Sequence, residues 1–219
     1  VAIALNIIEP GTIGTYTDLV SKVADWLDRD DLTDQIPDFI ALLESELRDK
    51  LRTIYQETAD IWVISDQDFA IPSDVLAIRR MYPSGQPNAL IREVVPDALQ
   101  RFRSAGGPTR VYAIEGRSIR FAPAPSSSVP ANIEVLYWKR IPPLSASAPD
   151  NWLLNRRADI YMWGTLHYAA AYVRDTDAME ACRQYLDAAI NALVAQSRND
   201  AWAGPLAPVG VTQVRGARC

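Results

Sequence analysis

Between residues 161 and 172 the chain reads YMWGTLHYAAAY, a stretch without one charged side chain. Placed at about 100° per residue, Tyr161, Tyr168 and Tyr172 form one stripe, and Trp163, Leu166, Ala170 and Val173 form a second. Gly164, His167 and Ala171 form a third, small-membered stripe. No run in the chain approaches the roughly 18 apolar residues of a membrane span. A helix that is nonpolar nearly all round must then be enclosed by protein from several sides. The small stripe invites close approach of a neighbouring helix, and the tyrosine hydroxyls need partners or a boundary. The stretch is expected to pack, either inside the subunit or against another copy.

Elements able to enclose it lie at both ends of the chain. Thr17 is expected to cap a first helix, with Asp18 in its first turn and Val20, Val23, Ala24 and Leu27 at helical spacing, ending in the DRDD run. A second opens near Pro37 and carries Ile40, Leu43, Leu47 and Leu51 on one face, with Glu44/Arg48 and Glu46/Lys50 spaced to pair on the other. Late in the chain helical periodicity returns over about 156–173 and 176–198, joined by Asp175-Thr176-Asp177. Met179, Cys182, Leu186, Ala189 and Leu193 share one face of the last helix.

From about Thr53 the pattern changes to short segments rich in β-branched and aromatic residues: TADIWVI, VLAIRRMY, RVYAI, SIRFA and NIEVLYWKR. Turn signals such as PSD, PSG, GGP and PAPSSS separate them. RVYAI and SIRFA read as a hairpin across Glu115-Gly116-Arg117, and PDALQRF as one short helix over the sheet. The expected fold is α+β: a four-helix bundle, two helices from each end of the chain, with an inserted small antiparallel β module and an extended C-terminal tail. The expected divisions are 1–52 (N-terminal arm and helical hairpin), 53–140 (β-rich module), 141–198 (linker and second hairpin) and 199–219 (tail).

Charge narrows the function classes. Residues 1–52 carry 11 acids against 5 bases, 53–140 carry 9 against 10, and 141–219 carry 7 against 7. The net charge of −5 therefore resides in the first quarter, and no basic stripe points to a phosphate-gripping surface. VAIALNII lacks the basic flank and cleavage site of a secretory signal. Cys182 and Cys219, far apart in the chain, argue against a disulfide framework and fit a reducing compartment.

No constellation in the sequence reads as catalytic. His167 has no His or Cys at ligand spacing, and Asp159 and Asp175, eight residues away on either side, do not share its helical face. No G-x-S-x-G occurs. An EF-hand frame from Asp28 wants Gly and Glu where Thr33 and Phe39 stand. The Arg and aromatic residues of the β segments fit strands with charged residues outward and rings inward. Neither a cofactor nor a metal is expected, and a structural role is expected for His167. Two alternatives stay open: a small hydrolytic enzyme using His167, and a carbohydrate-binding tail module in the β region.

In order along the chain stand YTDLVSKVADWLDRDDLTDQIPDFIALLESELRDKLR, FAIPSDVLAIRRMYPSG, GGPTRVYAIEGRSIRFAPAP, LYWKRIPPLS and DNWLLNRRADIYMWGTLHYAAAYVRD. This succession, over residues 16 to about 202, resembles the head-to-tail adaptor proteins of tailed bacteriophages. The resemblance implies a non-enzymatic component of the virion at the head–tail junction, made in the bacterial host cytoplasm. It further implies a ring of copies, typically dodecameric, on the portal protein, extending the DNA channel and docking a tail or nozzle protein. DNA would pass without specific binding, and no membrane is involved. An acidic balance suits such a channel, since fixed negative charge repels phosphates at short range. On this reading the candidate subunit or portal contacts are Tyr161, Tyr168, Tyr172, Trp202, Arg215 and Arg218, and the family has no catalytic residues to carry over.

Overall fold

Thr15 caps the first helix, α1 (Tyr16–Leu27). Its hydroxyl accepts from the Asp18 amide at 3.2 Å and the Asp18 carboxylate accepts from the Thr15 amide at 3.0 Å, so two orphan donors are satisfied reciprocally. Thr17, the expected cap, lies inside the helix, because the box needs its hydroxyl three residues before the carboxylate. The computed structural model of the chain describes residues 13–103, 106–126 and 128–201. After α1, Asp28 turns left-handed (φ 49°) and a 3-10 turn over Asp30–Gln35 leads into α2 (Ile36–Lys50). Pro37 sits in the first turn of α2, where its missing N–H costs nothing.

α2 buries Ile36, Phe39, Ile40, Leu43 and Leu47 on one side. Lys50 reaches Glu46 at 2.6 Å as its spacing predicts. Glu44 turns inward instead of pairing with Arg48, and accepts from the Leu144 amide at 2.8 Å and the Tyr161 hydroxyl at 3.1 Å. A short α4 (Trp152–Arg156), absent from the sequence expectation, precedes α5 (Ala158–Val173). α6 (Thr176–Ala201) continues past residue 198, where the helix was expected to stop.

These helices are not a four-helix bundle. A bundle asks four helices for one apolar stripe each, all facing a shared axis. Here α5 is apolar round its circumference and takes the centre itself, with α1, α2 and α6 packed on it. Leu19 and Val23 of α1, Leu43 and Leu47 of α2, Ile160 and Leu166 of α5, and Leu186 and Leu193 of α6 join one core. Among the described residues there are six α-helices and two sheets, so the α+β class stands while the bundle does not.

The strands are β1 (Glu57–Ile64), β2 (Asp68–Ala70), β3 (Val75–Pro83), β4 (Arg92–Glu93), β5 (Val111–Glu115), β6 (Ser118–Ala122) and β7 (Ala131–Lys139). They form a three-stranded antiparallel sheet, β1-β7-β3, and a four-stranded sheet, β2-β6-β5-β4. The second is not wholly antiparallel as expected, since β4 runs parallel to β5. The β5–β6 hairpin closes Glu115 against Ser118, and Gly116 supplies the positive φ of 62° its two-residue turn requires. One inner face from each sheet makes a second core around Trp62, Met81, Tyr112, Phe121, Val135 and Tyr137. The opposite face of β5 and β6 is covered by α3 (Pro96–Leu99), whose Leu99 packs on Val111, Ala113 and Ala122.

The 3-10 turn Ile54–Gln56 joins the helical and β parts. The Ile54 amide donates to Ser197 Oγ at 2.9 Å, and the Tyr55 hydroxyl donates to the Asp200 carboxylate. Arg156 lies 3.8 Å from the centre of the Tyr55 ring and donates to its hydroxyl at 2.8 Å. The end of α6 is thereby fixed beside the start of β1.

Candidate assembly surface

The tyrosine stripe splits on folding. Tyr161 is fully buried; its hydroxyl donates to Glu44 and accepts from Asn151 Nδ2 at 2.8 Å. Asn151 also caps α4 by accepting from the Leu154 amide at 2.8 Å, so Tyr161 belongs to a seam joining α2, α4 and α5. Tyr168 is half-buried and donates to Glu46 at 2.8 Å. Tyr172 alone of the three is exposed (59%), resting its ring at a tilt against Phe39 at 5.6 Å. Of these three, Tyr172 offers a partner open surface, and Tyr161 offers none. Trp202, Arg215 and Arg218 lie outside the described residues.

The α2 carboxylates two residues apart behave oppositely. Burial pushes Glu44 above the usual carboxylate range, against the pull of the Leu144 amide and Tyr161 hydroxyl. Burial also acts on Glu46, but donors from Lys50, Tyr168 and Arg183 outweigh it and hold the group down at about 2. Arg183 of α6 reaches Glu46 at 2.7 Å, so this carboxylate ties α2, α5 and α6 together. Burial, then the Glu46 hydrogen bond, pushes Tyr168 up to about 12.

The small stripe also splits. Gly164 faces Leu43 of α2, His167 faces α6, and Ala171 is exposed. His167 Nδ1 lies 3.0 Å from the Met179 carbonyl and its ring stands edge-on to Tyr168. One imidazole nitrogen is thus spent on backbone rather than on a carboxylate or a nucleophile. Among the described residues no three His, Cys, Asp or Glu side chains gather as metal ligands. A cleft of about 690 Å³ is lined by residues such as Pro83, Ile91, Pro108, Thr109, Val129 and Asn132, and its described lining carries no ionisable side chain. Acid–base chemistry has no residue to run on there.

What the helical part does present is an aromatic surface that sequence reasoning did not assemble. Trp26 of α1 meets Trp163 of α5 edge-on at 5.3 Å, and Trp163 stacks on Tyr185 of α6 at 4.7 Å. Trp26 and Tyr185 remain about two-fifths exposed. Trp and Tyr held rigid by their neighbours at a surface are the residue types that dominate protein interfaces. The only signal available beforehand was aromatic residues at the margins of three separate apolar stripes. On the β part, Trp62, Tyr112, Phe121 and Tyr137 lie in the core as expected, whereas Tyr82 and Trp138 are half-buried outside it, with Arg79 5.3 Å over the Trp138 ring, and Arg80, Arg110 and Arg117 point outward.

Residues 14–209 match the family model described as SU10 adaptor protein. No curated protein matches the chain. No helix among the described residues is long and apolar enough to cross a membrane.

Proposed function

The chain belongs to the SU10 adaptor protein family, a phage head–tail adaptor family, and from that premise we propose that it assembles as a ring of copies on the portal protein. In that position it extends the DNA channel and offers its far side to a tail or nozzle protein. The coarse assignment, a structural adaptor of the phage virion, follows from the family. The ring, its copy number and the orientation of its faces are proposed. So is a division of labour in which the helical parts, 1–52 and 141–198, hold the assembly surface and 53–140 form a separate module.

The observation that carries the reading is the aromatic surface Trp26–Trp163–Tyr185, with Tyr172 beside Phe39, on helices that a shared core holds rigid. Cyclic rings place one patch against a different patch of the next copy, and this face supplies one such patch. The excess of acids in residues 1–52 suits proximity to passing DNA.

The test mixes the chain with its portal protein and looks for a ring-on-ring complex by electron microscopy. Its absence at concentrations where both components are folded overturns the proposal. A monomer in the absence of portal does not bear on it, because the portal is the template.

A further inference from the structure

The two edges of the three-stranded sheet are treated differently. β3, at one edge, breaks register with β7 twice, carries Arg79 and Arg80, and ends in Pro83. Those are the devices by which an edge avoids pairing with another strand. β1, at the other edge, pairs with β7 in unbroken register from Glu57 to Ile64 and leaves Ile61 and Val63 more than half exposed. Its one visible guard is Asp60, whose carboxylate accepts from the Ile61 amide at 2.8 Å. A long regular edge bearing exposed β-branched residues is a template for strand addition.

The chain beyond the described residues begins next to that edge. Ser197 and Asp200, in the last turns of α6, bind Ile54 and Tyr55, immediately before β1 starts at Glu57. The residues from 202 to 219 reach up to about 60 Å when extended, against about 26 Å for the eight residues of β1. Past Pro208 this segment contains no further proline and brings Val209, Val211, Thr212 and Val214 close together, followed by Arg215 and Arg218. On β1, Glu57 is paired with Arg79 and Asp60 stands near the middle of the strand, while β7 carries Glu134, which accepts from Ser84 and Gly85, and Lys139. The β-branched composition of the segment therefore suits strand addition, and the short tether raises its local concentration to the millimolar range.

We propose that residues 209–215 of the same chain add to the edge of β1 that is unpaired among the described residues, covering Ile61 and Val63 and closing the sheet against pairing between copies. The inference concerns the single subunit and holds whether or not the ring reading does.

Amide hydrogen exchange of Ile61 and Val63, measured on the full chain at low micromolar concentration, tests it. The expected result is exchange at least about tenfold slower than in a chain ending at Ala201, and independent of protein concentration. Val211→Asp in the full-length chain guards against a folding defect in the shortened one, and is expected to restore fast exchange at β1 while leaving α5 amides protected. Equal exchange in all three proteins overturns the proposal. Protection that appears only as concentration rises also overturns it, and assigns the edge to a second copy.

Discussion

Gly164 of α5 and Leu43 of α2 are in such close contact that a β-carbon on the glycine would lie 2.3 Å from Leu43 Cδ1 and 2.9 Å from its Cγ. Leu43 is fully buried in the helical core, so it can move away from a new β-carbon only toward other core side chains. Gly164→Ala gains about 1 kcal/mol of helix propensity but overpacks the contact, at a cost of about 1–3 kcal/mol. Denaturant unfolding is expected to show net destabilisation. The same substitution in a Leu43→Ala background is expected to be neutral or stabilising, and a double-mutant cycle reads the difference as coupling. Additive effects would show that the two side chains do not compete for one space.

The start of α1 separates two threonines two positions apart. Thr15→Ala removes the hydroxyl that accepts from Asp18 and is expected to cost about 1 kcal/mol. Thr17→Ala, inside the helix, is expected to stay within about 0.5 kcal/mol of the parent. Equal losses in thermal unfolding would mean that the capping box does not set the helix start.

Glu44 and Glu46 give opposite pH signatures. Glu46 is held at about 2, below its unfolded value, so its stabilisation is full above that unfolded value and is lost as pH falls from about 4.5 toward 2. Glu46→Gln is expected to be about 1–2 kcal/mol less stable at pH 7, with allowance for solvent screening, and to converge on the parent near pH 2. Glu44 is raised by burial, so its ionised form opposes folding and the native state gains as pH falls through the raised value. Glu44→Gln keeps the acceptor for Leu144 and Tyr161 and is expected to be at least as stable as the parent at pH 7. Unfolding curves of the three proteins from pH 7 to pH 2 check both signs.

The same pair marks how far the sequence could be read. The i,i+4 rule found Glu46–Lys50, which depends only on local spacing. It missed Glu44, because the donors that turn Glu44 inward come from Leu144 and Tyr161, about a hundred residues away. The strands of five or more residues announced themselves by composition, whereas β2 and β4, with three and two residues, are too short to show a period. The all-round apolar character of 161–172 was visible, yet its consequence is a central helix rather than one of four equals. Periodicity gives the faces of a helix but not the partner each face will meet. For that reason Gly164, His167 and Ala171, one stripe on a helical wheel, end against α2, against α6 and in solvent.

Tyr161 and Tyr172 lie on one stripe in the sequence but should separate stability from assembly. Tyr161→Phe leaves Asn151 Nδ2 and Glu44 facing a bare ring edge in a buried seam, and is expected to lower unfolding stability by about 1–3 kcal/mol. Because the aromatic surface is unaltered, the folded fraction should still assemble. Tyr172→Ser removes an exposed ring that rests on Phe39 and is expected to cost less than about 1 kcal/mol. If Tyr172 faces the next copy or the portal, that variant is expected to weaken complex formation at least about tenfold, the loss of one hot-spot side chain. Sedimentation of the chain with portal protein, beside thermal unfolding of each variant alone, measures the two quantities independently. Normal assembly by Tyr172→Ser would remove this corner of the helical part from the interface and leave Trp26, Trp163 and Tyr185 as the surface to test.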